Sequence, residues 1–229
     1  MAQILQQTTG VNAENFSAKE KTVQSSGNPF HIIMILDKSG SMQSISQKII
    51  SAINEFVQEQ KHKAPDSVMS LITFSSGLST VYEKLPISQV PTVTSEMYQP
   101  DGMTALYDAI GLSLIKFRED KRAVVVVVTD GEENSSNEFP SMDKVQVLID
   151  QQKAAGWNFI FLANGLDVAK QGTRLGIANA ASCMKKSKAA NLAVNYNMLG
   201  EALSRQVSDA VAACYKRGEM DNPDYKQAS

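Results

Sequence analysis

The stretch FHIIMILDKSGSM, residues 30–42, decides the fold because its character changes abruptly at Asp37. Residues 30–36 are apolar apart from His31, and an uninterrupted apolar run predicts a strand that is buried on both faces. After the turn, apolar residues recur at helical spacing, which predicts an amphipathic helix over residues 44–63. In an open α/β sheet, a turn between such a strand and its helix lies at the edge where ligands bind.

The rest of the chain continues the alternation of strands and helices. Two short strand patterns separated by Ser-Ser-Gly predict an antiparallel hairpin, and the run of five valines from Val124 to Val128 predicts a central parallel strand. The pattern predicts an α/β fold, with a doubly wound, mostly parallel, Rossmann-like sheet flanked by helices and one antiparallel edge strand. Strands are predicted at 67–75, 78–85, 123–130 and 157–164, with a short last strand within 176–184; helices are predicted at 104–117, 140–155 and 188–216, with a short one from Asp167.

The domain organisation follows from where periodicity begins and ends. Residues 1–29 form a polar N-terminal arm without sustained periodicity, residues 30–217 form the domain, and residues 218–229 form a C-terminal tail. The domain includes the long C-terminal helix 188–216, whose apolar stripe is expected to pack on the sheet. Residues 1–217 contain no internal repeat that suggests a second domain.

Composition and charge exclude several classes of function. The chain has 22 Lys plus Arg and 24 Asp plus Glu, for a formal charge of −2, so no basic surplus favours nucleic acid or a membrane surface. No apolar run is long enough to span a bilayer and no signal peptide is recognised, so we expect a cytoplasmic protein. Cys183 and Cys214 lack CxxC spacing, which predicts a reduced pair and neither a disulfide nor a zinc site.

Five oxygen-bearing side chains lie at predicted strand ends or helix starts. If the strands are parallel neighbours, these side chains converge on one crevice. The set contains no histidine or cysteine, which favours a hard cation such as Mg²⁺ or Mn²⁺ over Zn²⁺. The five candidates are Asp37, Ser39, Ser41, Thr104 and Asp130.

On these residues the sequence resembles the von Willebrand factor type A domains. Residues 37–41 fit the family's Asp-x-Ser-x-Ser pattern, and Thr104 and the Thr-Asp-Gly at 129–131 fit the other two parts of its metal-ion-dependent adhesion site. The resemblance covers residues 30–185. It implies that Ser39 and Ser41 bind Mg²⁺, Mn²⁺ or Ca²⁺ directly, and that Thr104, Asp37 and Asp130 bind directly or through water.

The resemblance also implies a function. In this family, a partner protein supplies an Asp or Glu carboxylate to the remaining position on the metal, so the chain is expected to be a non-catalytic protein-binding module. Ser41 is expected at the start of the first helix, where the dipole favours an incoming anion. Family members in the cytosol often belong to multiprotein assemblies or work with ATPases, so an ATPase is one kind of partner that the resemblance implies.

Alternatives stay open for the site and for the function. The hydroxyls taken singly fit helix caps and turn residues. A magnesium-dependent phosphatase or phosphotransfer enzyme with Asp37 as nucleophile would also place an aspartate at a strand end, although the second carboxylate such sites need is replaced by Ser39. Neighbouring residues are interpreted structurally: surface positions for Asp101 and Asp108, a solvated loop for Glu132 and Glu133, core packing for Met42, Met103 and Trp157, and a hydrogen-bonded core position for His31. The alternatives are a charge on the rim of the site for Asp101 and an apolar collar for a partner formed by Met42 and Met103.

Overall fold

The structure of the chain is a computed structural model that describes residues 29–163, 166–177 and 180–182, together with Arg205, Val207 and Asp209. The predicted arm 1–29 lies outside the described residues except for Pro29. The predicted tail 218–229, Cys183 and Cys214 also lie outside them. In the part of the chain that is described, no helix has both the length and the apolar character needed to cross a membrane.

The described part of the chain alternates strands and helices as the sequence predicts. The strands are β1 (His31–Asp37), β2 (Val68–Phe74), β3 (Leu78–Pro86), β4 (Ala123–Thr129), β5 (Asn158–Ala163) and β6 (Ala180–Ser182). The helices are α1 (Ser46–Lys63), α2 (Leu106–Phe117), α3 (Met142–Ala154) and α4 (Leu166–Arg174), with short 3-10 turns at Gly40–Ile45 and Ile87–Gln89.

The six strands form one sheet in the order β3-β2-β1-β4-β5-β6. All neighbours are parallel except β2 and β3, which form the predicted antiparallel hairpin with β3 at the edge. The mostly parallel α/β fold is therefore confirmed. Successive strands are added on opposite sides of β1, so the order reverses between β1 and β4, and the crevice at such a reversal is where open α/β sheets bind ligands.

Two apolar layers cover the two faces of the sheet because side chains of a strand alternate between faces. Ile32, Met34 and Leu36 of β1 pack with α1, whereas Ile33 and Ile35 pack with α2 and α3. Every residue of β1 and β4 is buried, as their uninterrupted apolar runs predict. Of the predicted helix 188–216, only Arg205, Val207 and Asp209 are described; they are helical, and Val207 is buried in the layer that contains α1.

Two predicted helix starts are wrong, and both lie next to candidate ligands. The helix predicted from residue 104 begins at Leu106, so Thr104 precedes it in an irregular segment. Ser41 does not start the first helix either: it lies in the 3-10 turn Gly40–Ile45, and α1 begins only at Ser46. Serine and glycine disfavour a regular α-helix, which accounts for the intervening turn. The dipole of α1 therefore does not begin at Ser41.

Candidate metal centre

Asp37 and Asp130 come together because β1 and β4 are parallel neighbours. Leu36 pairs with Val128 in the ladder, so Asp37 lies level with Thr129 and Asp130 follows one residue later. The side chain of Asp37 is completely buried, and its two carboxylate oxygens accept hydrogen bonds from the Ser39 amide and the Thr129 hydroxyl, each at 2.6 Å. Asp37 thereby fixes the turn that carries the two serines.

The two serine hydroxyls link β1 to β4. The Ser41 hydroxyl donates to a carboxylate oxygen of Asp130 at 2.6 Å, and the Ser39 and Ser41 hydroxyl oxygens lie 3.1 Å apart. Because Ser41 gives its proton to Asp130, it accepts the proton of Ser39 in this second bond. Ser39 is buried and Ser41 is exposed, so the chain of hydrogen bonds runs from the interior to the surface.

Thr104 reaches the same cluster from the segment before α2. A Cβ atom added to Gly131 would lie 3.0 Å from the Thr104 hydroxyl oxygen and 3.6 Å from the Ser41 hydroxyl oxygen. Gly131 follows Asp130 directly, so both hydroxyls lie next to the backbone beside that aspartate. The structure therefore brings together all five predicted residues: Asp37, Ser39, Ser41, Thr104 and Asp130.

Backbone hydrogen bonds hold the surrounding loops in place. The Gly40 amide donates to the Gly102 carbonyl at 3.0 Å, and the Asp101 amide donates to the Lys38 carbonyl at 2.7 Å. Gly102 has a φ of +83°, a conformation that glycine adopts without steric cost. The segment before α2 is thus fastened to the turn after β1, which keeps Thr104 beside the serines.

Burial raises the pKa of both carboxyl groups of the cluster. For Asp37, burial outweighs the hydrogen bonds from Thr129 and Ser39, and the nearby charge of Asp130 raises the pKa further. For Asp130, burial likewise outweighs the hydrogen bond from Ser41 and raises the pKa. Two poorly solvated carboxylates at adjacent strand ends create a local field that favours a positive charge.

The cluster differs from metal sites built on carboxylates, imidazoles or thiols. Within the described ranges, no three His, Cys, Asp or Glu side chains come close enough together to hold an ion. The oxygen atoms that converge here are three hydroxyls and the carboxylates of Asp37 and Asp130. Such oxygen donors suit hard cations, and the neutral hydroxyls leave most of the charge of a cation uncompensated.

Several neighbouring side chains have roles that the sequence did not reveal. The Thr129 hydroxyl anchors Asp37, and the Tyr98 hydroxyl donates to the Asp37 carbonyl at 2.6 Å. Thr129 belongs to the quoted Thr-Asp-Gly motif, which is a usable signal, whereas Tyr98 lies in a loop without periodicity. Asn134 binds both backbone polar groups of Thr104, with no sequence signal at all.

The surface position predicted for Asp108 is wrong, whereas Glu133 lies in a loop as predicted but is only partly exposed. Asp108 is buried and accepts hydrogen bonds from the amides of Asn137 and Phe139. Glu133 is partly buried and accepts hydrogen bonds from backbone amides of its own loop and of α2. Each carboxylate accepts hydrogen bonds from backbone amides that would otherwise lack partners. Nothing in the sequence around the two residues indicates this role.

The structural interpretations of the other neighbours are mostly confirmed. Met42 and Trp157 are buried, and Asp101 and Glu132 are exposed. Met103, expected in the core, is 52% exposed, so that expectation is wrong. The Met103 amide is tied to the Ser76 hydroxyl, and this segment turns the methionine side chain towards solvent.

Comparison with known proteins identifies the fold independently. Residues 32–133 match a family model described as von Willebrand factor type A domain. No match to the chain was found among curated proteins.

Solved structures from bacterial pili share the fold. The pilus adhesin SpaC from Lactobacillus rhamnosus GG, in its open conformation, matches with a TM-score of 0.60 at 12% identity, over 81% of this chain and 30% of that one. The von Willebrand factor domain of the type V pili tip protein Mfa5 from Porphyromonas gingivalis matches with a TM-score of 0.54 at 11% identity, over 78% of this chain and 96% of that one. A mutant of the PilB minor pilin from Streptococcus sanguinis matches with a TM-score of 0.53 at 12% identity, over 82% of this chain and 63% of that one. The chain thus spans less than a third of SpaC, and such low identities show likeness of fold alone.

Proposed function

We propose, from the match of residues 32–133 to the family model of von Willebrand factor type A domains, that this chain binds a partner protein through a divalent cation. Domains of this family are known for protein binding and adhesion. The observation that carries the proposal is the convergence of three hydroxyls and two carboxylates at the carboxyl ends of β1 and β4. These are the atoms that the resemblance assigns to a metal-ion-dependent adhesion site.

The residues present fit a Mg²⁺-type ion, with Mn²⁺ or Ca²⁺ as alternatives. The donor atoms are all hard oxygens, and Gly131 has no side chain to fill the space between the hydroxyls of Thr104 and Ser41. The hydroxyls of Ser39, Ser41 and Thr104 would hold the cation, with Asp37 and Asp130 binding it directly or through water. The bound ion would supply a positive charge that attracts an external carboxylate.

The mixture of donors accounts for capture of an acidic side chain. A cage made only of carboxylates would neutralise a divalent cation, whereas hydroxyls leave it electrophilic. Asp37 is held inside the protein, and the exposed Ser41 lies on the solvent side of the cluster. We infer that an Asp or Glu of a partner protein approaches from the Ser41 side and completes the coordination.

We propose no catalytic role for Asp37. A carboxylate nucleophile must reach its substrate, but the side chain of Asp37 is fully buried and both of its oxygens already accept hydrogen bonds. These bonds favour a structural and electrostatic role. The phosphatase or phosphotransfer alternative has no observation of this structure in its favour.

The decisive experiment is calorimetric titration of the EDTA-stripped protein with Mg²⁺ and Mn²⁺, alone and with glutamate present. The test variant is Ser41→Ala, because Ser41 is exposed and its removal leaves the core intact. The matched control is Ser51→Ala, which removes an exposed hydroxyl from α1. The Ser51 hydroxyl donates a hydrogen bond to the Glu55 carboxylate, away from the candidate metal centre.

We expect one saturable site in the wild type and in Ser51→Ala, with affinity lowered about tenfold or more in Ser41→Ala, as is typical when a metal site loses part of its support. A wild-type protein that is folded and binds neither ion, with or without glutamate, would refute the proposal. An ATPase as the partner and a cytoplasmic location stay predictions from the sequence. A pull-down with and without EDTA tests the first of these.

A further inference from the structure

We propose that Asn134 and Glu133 are positioning residues of the metal centre. They fasten the loop after β4 to the segment that begins α2, so that Thr104 and Asp130 are presented to a cation as one unit. The inference rests on the proposed function, since it concerns how the same cation is held. Neither residue is assigned a ligand role.

Asn134 holds Thr104 through both of its backbone polar groups. The Thr104 amide donates to the side-chain oxygen of Asn134 at 2.8 Å, and the Asn134 amide donates to the Thr104 carbonyl at 3.0 Å. Thr104 precedes α2 and has no helical partners of its own, so this two-point attachment fixes its backbone. Because Asn134 lies four residues after Asp130, the same attachment fixes the distance between the two predicted ligands.

Glu133 extends the attachment to the first turn of α2. One carboxylate oxygen accepts from the amides of Ser135 and Ser136 at 2.8 and 2.7 Å, and the other accepts from the Tyr107 amide at 2.8 Å. The Tyr107 amide is among the first amides of the helix, which lack partners within it. A negative charge is also favourable at this end of a helix. Glu133 therefore acts as a helix cap supplied by another segment of the chain.

Further contacts of the same loop strengthen the connection along α2. The Asp108 carboxylate accepts from the amides of Asn137 and Phe139 at 2.8 and 2.7 Å, and the Asp108 amide donates to the Ser136 hydroxyl at 3.0 Å. The Phe139 ring lies against Gly111, where an added Cβ would come within 2.5 Å of it. The loop thus binds the helix by bonds in both directions and by close packing.

Asn134 is not a proposed ligand, but it is hydrogen-bonded to the backbone of Thr104, which is one. Its effect on a cation must pass through the position of the Thr104 hydroxyl, which lies beside Gly131 and Ser41. Residues that support metal ligands in this way change metal affinity by about 10- to 100-fold when they are removed. A residue with only a structural role would change stability and leave affinity alone.

Asn54 supplies a matched control. Like Asn134, it accepts with its side-chain oxygen from a backbone amide, that of Val93, at 2.8 Å; its side-chain nitrogen also donates to the Val93 carbonyl at 3.0 Å. It lies on α1, away from the candidate cluster. Asn134→Ala removes one side-chain hydrogen bond and keeps the backbone bond to the Thr104 carbonyl, whereas Asn54→Ala removes two side-chain bonds without touching the segment that carries Thr104. The control is therefore at least as disruptive as the test variant.

The experiment measures Mn²⁺ affinity by calorimetry for the wild type, Asn134→Ala, Glu133→Ala and Asn54→Ala, each at a temperature at which circular dichroism shows it folded. Amide hydrogen exchange is measured on the same proteins in EDTA. A further variant, Asn134→Asp, keeps the oxygen that accepts from Thr104. Hydrogen exchange of this variant checks that the hydrogen bond to the side-chain oxygen, and no other property of Asn134, protects the Thr104 amide.

We expect Mn²⁺ affinity to fall about 10-fold or more in Asn134→Ala and Glu133→Ala and to change less than about 2-fold in Asn54→Ala. In EDTA, the Thr104 amide should exchange faster in Asn134→Ala and regain protection in Asn134→Asp. Equal affinity of Asn134→Ala and wild type would overturn this inference while leaving the proposed function in place. A folded wild type that binds no Mn²⁺ would instead overturn the proposed function, and the inference with it.

Discussion

The absence of a side chain at Gly131 leaves open the space beside two of the three hydroxyls of the cluster. Gly131 follows Asp130 directly, and the Thr104 and Ser41 hydroxyl oxygens would lie 3.0 and 3.6 Å from a Cβ atom added to it. Position 131 favours glycine because of this close approach and not because of its backbone angles, since Gly131 does not have a positive φ. Any larger residue would occupy space that we assign to the cation or its ligands.

Gly131→Ala should therefore weaken metal binding at modest cost to the fold. The new methyl group would lie 3.0 Å from the Thr104 hydroxyl oxygen, closer than ordinary contact, so this hydroxyl would have to shift from its position. Calorimetric titration with Mn²⁺ should show affinity reduced about tenfold or more. Gly77→Ala is the control, because a Cβ there meets nothing within 4 Å. Full Mn²⁺ affinity in Gly131→Ala would contradict the assigned position of the ion.

At the scale of elements, a polar network around the buried His31 joins four segments at the end of β1 opposite the candidate metal centre. His31, the first residue of β1, donates to Asp120 at 2.6 Å and accepts from the Ser70 hydroxyl of β2 at 2.8 Å. Asp120 lies between α2 and β4 and also contacts Lys84 of β3. The prediction of a hydrogen-bonded core histidine is thereby confirmed.

The charge states in this network follow from burial for His31 and from hydrogen bonds for Asp120. Burial lowers the pKa of His31 despite the hydrogen bond to Asp120, so the imidazole is neutral at pH 7. Burial would raise the pKa of Asp120, but hydrogen bonds from His31 and Lys84 outweigh it, and the pKa of Asp120 is lowered. The folded state thus contains a neutral imidazole and an ionised carboxylate, and both states are lost on acidification.

The free energy of unfolding should fall as the pH is lowered from 7 to 5. The unfolded chain takes up a proton on His31 near pH 6.5, whereas the folded chain resists it, so the contribution of this group is complete above pH 6.5 and is lost as the pH falls through the lower pKa of the folded state. Urea unfolding of wild type and His31→Asn across this range measures the effect. The difference between their pH slopes isolates His31 from other groups. Parallel slopes would show that His31 contributes nothing.

At the scale of the whole molecule, the cluster exists only when the sheet is complete. Its members come from the turn after β1, the segment before α2 and the loop after β4, which β1–β4 pairing and the loop contacts bring to one edge. The unfolded chain separates these residues along the sequence and offers no preformed site. Ion binding should therefore favour the folded state specifically.

Magnesium should raise the melting temperature of the EDTA-stripped protein. At a concentration about 100 times its Kd, a ligand specific for the folded state adds about 2.7 kcal/mol to the free energy of unfolding. For a domain of this size, that corresponds to an increase in Tm of about 5–10 °C. Differential scanning fluorimetry with MgCl₂, and with KCl at equal ionic strength as control, measures the shift. An equal shift in KCl, or the same Mg²⁺ shift in Ser41→Ala, would show that the stabilisation does not arise from this site.

The sequence by itself predicted most of the fold because its strongest signals are local. The apolar runs of β1 and β4 predict buried strands wherever they are placed, and the boundaries differ from the structure by only one or two residues. The short hairpin loop likewise determines the pairing of β2 with β3. The five candidate ligands were predicted because each lies beside such an element or in a recognisable motif.

Only the tertiary structure decided which side chains support those ligands. Tyr98, Thr129, Glu133 and Asn134 act on residues far from them in sequence or on backbone groups that carry no sequence signal. The start of α2 after Thr104 and the burial of Asp108 depend in the same way on the loop that packs against that helix. A hydrogen bond between distant segments depends on their relative placement, which the packing of the whole sheet determines; local periodicity determines only the elements themselves.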